Sequence, residues 1–168
     1  MKAALGRPLP VELTADLRFA ARVRRLSLVS LVALGLIWGL AVATLGAPPI
    51  VIAALAAGWA LMPTTLAASL VHPRLRYGLV VPASLVSAGL LAICVGWLPA
   101  DRVAATGWLL VTAGVLLGGG LGLWFWFRVL PVPRVLDNPF SAGRWALIGL
   151  HVALVLVGLG LAARPLAM

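Results

Sequence analysis

Charge is what this chain has least of. Asp, Glu, Lys and Arg make up 10% of its residues, against about 25% in ordinary soluble domains. Acid is scarcer still: 4 Asp and Glu stand against 13 Lys and Arg, a net charge of +9. With 63% of its residues apolar, the chain falls outside the disordered, coiled-coil and ordinary soluble-enzyme classes. The single cysteine, Cys94, excludes an intramolecular disulfide, a Cys-built metal cluster and a CxxC pair. Walker and GxGxxG loops, the HExxH helix and the nucleophile-elbow signature are all missing. The basic excess has no soluble domain to present it, so nucleic acid is not an expected partner.

What the chain has instead is apolar runs: Leu26–Ala47, Pro48–Val71, Gly78–Leu98, Val103–Phe127 and Trp145–Ala163. They hold 22, 24, 21, 25 and 19 residues, and none contains Asp, Glu, Lys or Arg. About 20 apolar residues cross a bilayer as a helix. Such a run must be helical, because a backbone in hydrocarbon satisfies its own hydrogen bonds. A transmembrane β-barrel would alternate apolar and polar residues instead. The expected fold is therefore an all-α membrane protein: a bundle of five transmembrane helices with a short basic amphipathic N-terminal helix. Residues 1–25 form a cytoplasmic arm, 26–163 the transmembrane domain and 164–168 a short tail. Only Gly46, Ala47, Pro48 and Pro49 separate the first two runs, which suits a tight hairpin.

The basic residues sit between the runs. Eleven of them lie in the N-terminal arm (Lys2, Arg7, Arg18, Arg22, Arg24, Arg25) and in the second and fourth connections (Arg74, Arg76; Arg128, Arg134, Arg144). The opposite ends carry only Arg102 and Arg164. The expected place is the cytoplasmic (inner) membrane, and the positive-inside rule predicts the N-terminus in the cytoplasm and the C-terminus outside. Asp101 and Asp137 consequently fall on opposite sides of the bilayer and share no active site. A cleavable signal peptide competes for the first run, since Ala41-Val42-Ala43 resembles a cleavage site. The charged stretch before it is long, however, and the run continues past that site. Six of the eight Trp and Tyr residues fall near run ends, among them Trp97 and Trp108, where amphipathic rings favour the interface. Trp38 and Trp59 fall mid-run and read as packing or lipid-facing residues.

In the arm, Thr14 is placed to cap a helix on which Arg18, Arg22 and Arg25 share one face. Such a helix lies on anionic headgroups or docks a soluble partner. Asn138-Pro139 suits the start of the last helix. Pro63 interrupts the second run, with Thr64, Thr65 and Ser69 after it to satisfy released backbone groups.

Small residues recur at spacings of four. Gly114, Gly118 and Gly122 line the fourth run, and Gly35 and Gly39 lead to Ala43 and Ala47 in the first. Such series let helix backbones approach closely, either within this chain or against another membrane protein or a second copy. His151 is the readily titratable side chain set well inside a run, which makes it a candidate site. With Arg144, seven residues earlier on the same face, it would meet an anionic or quinone-like headgroup. With His72 it would ligate haem. The plainer reading is a neutral imidazole bonded to Ser69, Ser84 or Ser87. No metal or cofactor is required by any motif, and no catalytic residue stands out. The leading expectation is a non-catalytic accessory or assembly subunit of a larger membrane complex. A small transporter or channel component, and a quinone- or haem-binding redox protein, are the alternatives.

Overall fold

The computed structural model describes residues 11–71, 73–121 and 142–167. The side chains of 11–19, 22–23, 69–71, 73–74, 76, 120–121 and 142–145 lie outside that description. Among the described residues there are helices and no strands, and five of the helices are long and apolar enough to cross a membrane. This pattern is compatible with a multi-pass membrane protein. The helices are α1 (Val11–Thr44), α2 (Pro49–Val71), α3 (Val80–Gly96), α4 (Arg102–Leu116) and α5 (Ala142–Ala162). A 3-10 turn, Pro73–Leu79, leads into α3, and a five-residue π-helical turn, Leu117–Leu121, continues α4.

The basic segment before the first apolar run is not a separate helix. α1 runs unbroken for 34 residues, about 51 Å at 1.5 Å per residue. Its described part already includes Val11, so Thr14 lies within the helix and not at its cap. The segment ahead of Arg24 therefore continues the direction of the first span and does not fold flat against it. The hairpin expected around Gly46 is present, with Leu45–Pro48 non-helical and Pro49 opening α2. A proline at that position is pre-set for helix and forfeits no hydrogen bond.

Pro63 lies inside α2 without ending it. Its ring removes a donor and frees the carbonyl one turn back, that of Trp59. The hydroxyls beyond it bond the next carbonyls along: Thr64 Oγ1 donates to Ala60 O at 3.3 Å and Leu61 O at 2.9 Å, and Thr65 Oγ1 to Leu61 O at 2.6 Å.

α1 pairs with α2, α2 with α3, and α4 with α5, while α3 bridges the two groups through α4. The α1–α2 contact is built on aromatic rings. Trp38 and Trp59 stack with centroids 5.3 Å apart and planes 7° from parallel. Trp59 Nε1 donates to the Leu31 carbonyl at 2.9 Å. Gly35 leaves room for that indole, since a Cβ there would stand 3.0 Å from its Nε1. Between α2 and α3, Gly58 faces Val86 and the Pro82 carbonyl, and Gly89 faces Leu55.

Trp108 departs from expectation. Its place near the start of the fourth run suggests an interfacial ring, yet it is 0% exposed and part of the central cluster with Ile37, Leu55 and Leu90. Helix rotation is the reason: position 108 is on the face of α4 that meets the other helices, where Ala104, Val111 and Val115 are also buried. Outward surfaces are apolar instead. Leu28, Val29, Val32 and Leu36 of α1 and Leu156 and Val157 of α5 are all more than half exposed. Such a surface is a liability in water and suits hydrocarbon.

At the end of the bundle where α4 begins, Asp101 caps the helix by accepting from the Val103 and Ala104 amides at 3.3 Å. It also pairs with Arg164, just beyond α5, at 3.8 Å. Asp101→Ala should lower stability by about 1 kcal/mol, the worth of a lost cap. Asp101→Asn should cost less than half of that, because Asn caps as well and a solvated ion pair adds little. Thermal midpoints of the two variants in mild detergent check this; equal losses would assign the effect to the ion pair instead.

Candidate functional site

The α4–α5 seam follows a shared spacing. Gly107, Val111, Gly114 and Gly118 recur every four, three and four residues, and His151, Val155, Gly158 and Ala162 repeat that rhythm. The helices run antiparallel, so the two series meet end to end. A Cβ on Gly107 would stand 2.6 Å from the Gly158 carbonyl oxygen, and one on Gly158 would stand 2.7 Å from the Val111 nitrogen. One on Gly114 would stand 2.8 Å from Val155 Cγ2, and one on Gly118 would overlap the His151 ring. Backbone thus approaches backbone where Cβ atoms are missing, and dispersion contacts accumulate along the seam.

Of the glycines singled out by spacing, Gly114 and Gly118 stand on this seam and Gly35 beneath Trp59. Gly39 has nothing within 4 Å of its would-be Cβ, and Gly122 lies outside the described residues. Sequence reasoning missed Gly107 and Gly158. Their signals were Gly107 seven residues before Gly114, and Gly158 four before Ala162. Neither pattern says which helix will be the partner.

His151 sits where the seam reaches the π turn, half-buried against Gly118. Its Nδ1 lies 2.5 Å from the Gly114 carbonyl oxygen. The serines considered as its partners take no part in that bond. Ser84 is exposed, Ser87 lies near Gly119, and the side chain of Ser69 is outside the description. Because a carbonyl only accepts, Nδ1 is the donor in that bond. Arg144 is on α5 two turns ahead of His151, with its side chain outside the description, and His72 lies outside the described residues.

A second polar link joins α3 to α4. Cys94 Sγ and Thr112 Oγ1 are 3.1 Å apart, and the Thr112 hydroxyl also donates to the Trp108 carbonyl at 2.8 Å. This threonine is the buried polar residue of the described core, and its hydroxyl is satisfied within its own helix. Among the described residues no three His, Cys, Asp or Glu side chains converge as a metal site. Among the described residues the arrangement joins α4 to α5 by one side-chain hydrogen bond and α3 to α4 by another.

The chain matches no protein-family model, no curated protein and no solved structure.

Proposed function

We propose that this chain is a non-catalytic accessory or assembly subunit of a larger complex in the cytoplasmic membrane, with its N-terminus inside and its C-terminus outside. The observation that carries the reading is the placement of glycines on outward faces. A Cβ added at Gly39 of α1, or at Gly149 or Gly160 of α5, would meet nothing among the described residues within 4 Å. Each glycine costs about 0.8–1.0 kcal/mol of helix propensity relative to alanine. A helix that faced only lipid would gain nothing for that cost, whereas a second helix can settle against a surface without Cβ atoms. The spans also lack the Asp or Glu that couples transport to protons or sodium.

The chain direction supports the orientation. Helices that alternate in direction gather the N-terminal arginines, the Pro73–Leu79 turn and the start of α5 at one end, and Arg102 and Arg164 at the other. Basic residues at the first end attract anionic headgroups by about 1 kcal/mol each.

Purification in mild detergent should recover a stoichiometric membrane partner, and the double variant Gly149→Leu, Gly160→Leu should lose it. Solute flux through liposomes holding the chain alone, or a coloured eluate, would replace this reading with the carrier or the redox one. For the orientation, a reporter active only outside the cytoplasm should score after Ala100 and Met168 and stay silent after Arg76 and Arg134. A signal at Arg134 overturns it.

A further inference from the structure

We propose that this bundle is jointed. The part toward the start of α4 forms a rigid block, and the opposite ends of α2 and α4 swing against it about one level of the structure. Contacts on α3 define that level. A Cβ on Gly58 of α2 would face the Pro82 carbonyl and Val86, and one on Gly119 of the π turn would face Ala83 and Ser87. Gly58 and Gly119 therefore stand level with the same stretch of α3, on two helices that run in the same direction.

Around this level each of the three helices departs from a regular α ladder. In α2, Pro63 supplies no amide for the Trp59 carbonyl, next to Gly58. In α3, regular helix begins only at Val80, after the 3-10 turn Pro73–Leu79. In α4, the Leu117 amide is shared between the Ala113 and Gly114 carbonyls, and the π turn Leu117–Leu121 follows at once. Prolines and π turns are where helices bend. The glycines at the centre of the π turn absorb backbone rotation at little steric cost. Beside Pro63, the Thr64 and Thr65 hydroxyls keep the Ala60 and Leu61 carbonyls bonded while the helix bends.

Packing changes at the same level. Toward the start of α4, Ile37, Leu55, Leu90, Trp108 and Val111 are buried together. The other direction takes in α1 up to Leu36, α2 beyond Gly58, the 3-10 turn, α4 beyond Val115 and α5 before Val155. Among the described side chains there, Leu66 and Leu79 are the buried ones. A close-packed interior is stiff, whereas segments with few buried apolar contacts open at low cost. His151 stands at the boundary, where its bond to the Gly114 carbonyl ties α5 to the last regular turn of α4. This inference is independent of the accessory role.

The test uses the full chain with Cys94→Ser in nanodiscs and reads distance distributions between spin-labelled cysteines on α2 and α4. Labels at Ile50 and Leu109, both exposed, report on the block. Labels at Ala67 and Leu121 report on the ends beyond the joint. The first pair should give one narrow peak, and the second a broad or two-peaked distribution. Pro63→Ala restores the ladder of α2 and should narrow the second distribution without moving the first. His151→Leu removes the tie beside the π turn and should broaden the second. Equal widths for the two pairs, or a second pair indifferent to either substitution, overturns the proposal.

Discussion

Replacing Gly158 by leucine will lower the thermal midpoint of the purified chain, whereas the same change at Gly160, two residues further along α5, will leave it in place. The two positions share a helix and a residue type, so propensity treats them alike. They differ in what a Cβ meets. At Gly158 it would stand 2.7 Å from the Val111 nitrogen and 2.8 Å from the Gly107 carbonyl oxygen, while at Gly160 it meets nothing within 4 Å. Overpacking costs about 1–3 kcal/mol where side chains can shift. Here the obstacle is backbone on the facing helix, so the loss should reach the upper end of that range. Gly158→Ala sharpens the test, because alanine favours the helix by about 1 kcal/mol and must still destabilise. Unfolding in mild detergent, followed by loss of the monodisperse peak, reads all three. Equal midpoints for Gly158→Leu and Gly160→Leu would mean that α4 and α5 do not meet along this seam.

Trp108→Ala should be the most damaging truncation in the bundle. The ring is 0% exposed and joins the central cluster to which all five helices contribute. In soluble proteins a buried Phe or Trp cut to Ala costs about 3–5 kcal/mol. Lipid-embedded helices gain less from transfer out of water, so the lower end, about 3 kcal/mol, is expected from the cavity and lost dispersion contacts. Trp108→Phe should cost far less. It keeps most of the ring and removes an Nε1–H that has no partner among the described residues. If Phe costs as much as Ala, that N–H is bonded and the ring's polar edge matters more than its volume.

The five apolar runs were legible because hydropathy is a local property: uninterrupted runs of 19 to 25 residues without charge leave few alternatives to helix. The hairpin at Gly46–Pro49 was legible for the same reason, since glycine and paired prolines break a helix wherever they stand. Candidate glycines were only half legible. Gly35 and Gly39 belong to one spacing-of-four series, yet one lies under Trp59 and the other faces open space. A step of four residues turns about 40° around the helix, so such a series drifts off its contact face. That the basic helix runs into the first span was legible, but not that the two form one unbroken helix, because composition changes sharply at Arg25 and a change in polarity is no barrier to helix. His151 was visible as an ionisable group in an apolar run, but its partner is a backbone carbonyl 37 residues away in the chain.

By itself, then, the sequence determined the five apolar helices found among the described residues, roughly where most of them end and which ends of the runs carry arginine. Tertiary structure alone decided that α4 pairs with α5, that Gly107 and Gly158 rather than Gly39 sit at close approach, that Trp108 turns inward and that the Gly114 carbonyl accepts a hydrogen bond from His151. The first set depends on the solvent preference of each short segment. The second depends on which two backbones come within contact of each other along their whole length, and no single segment carries that information.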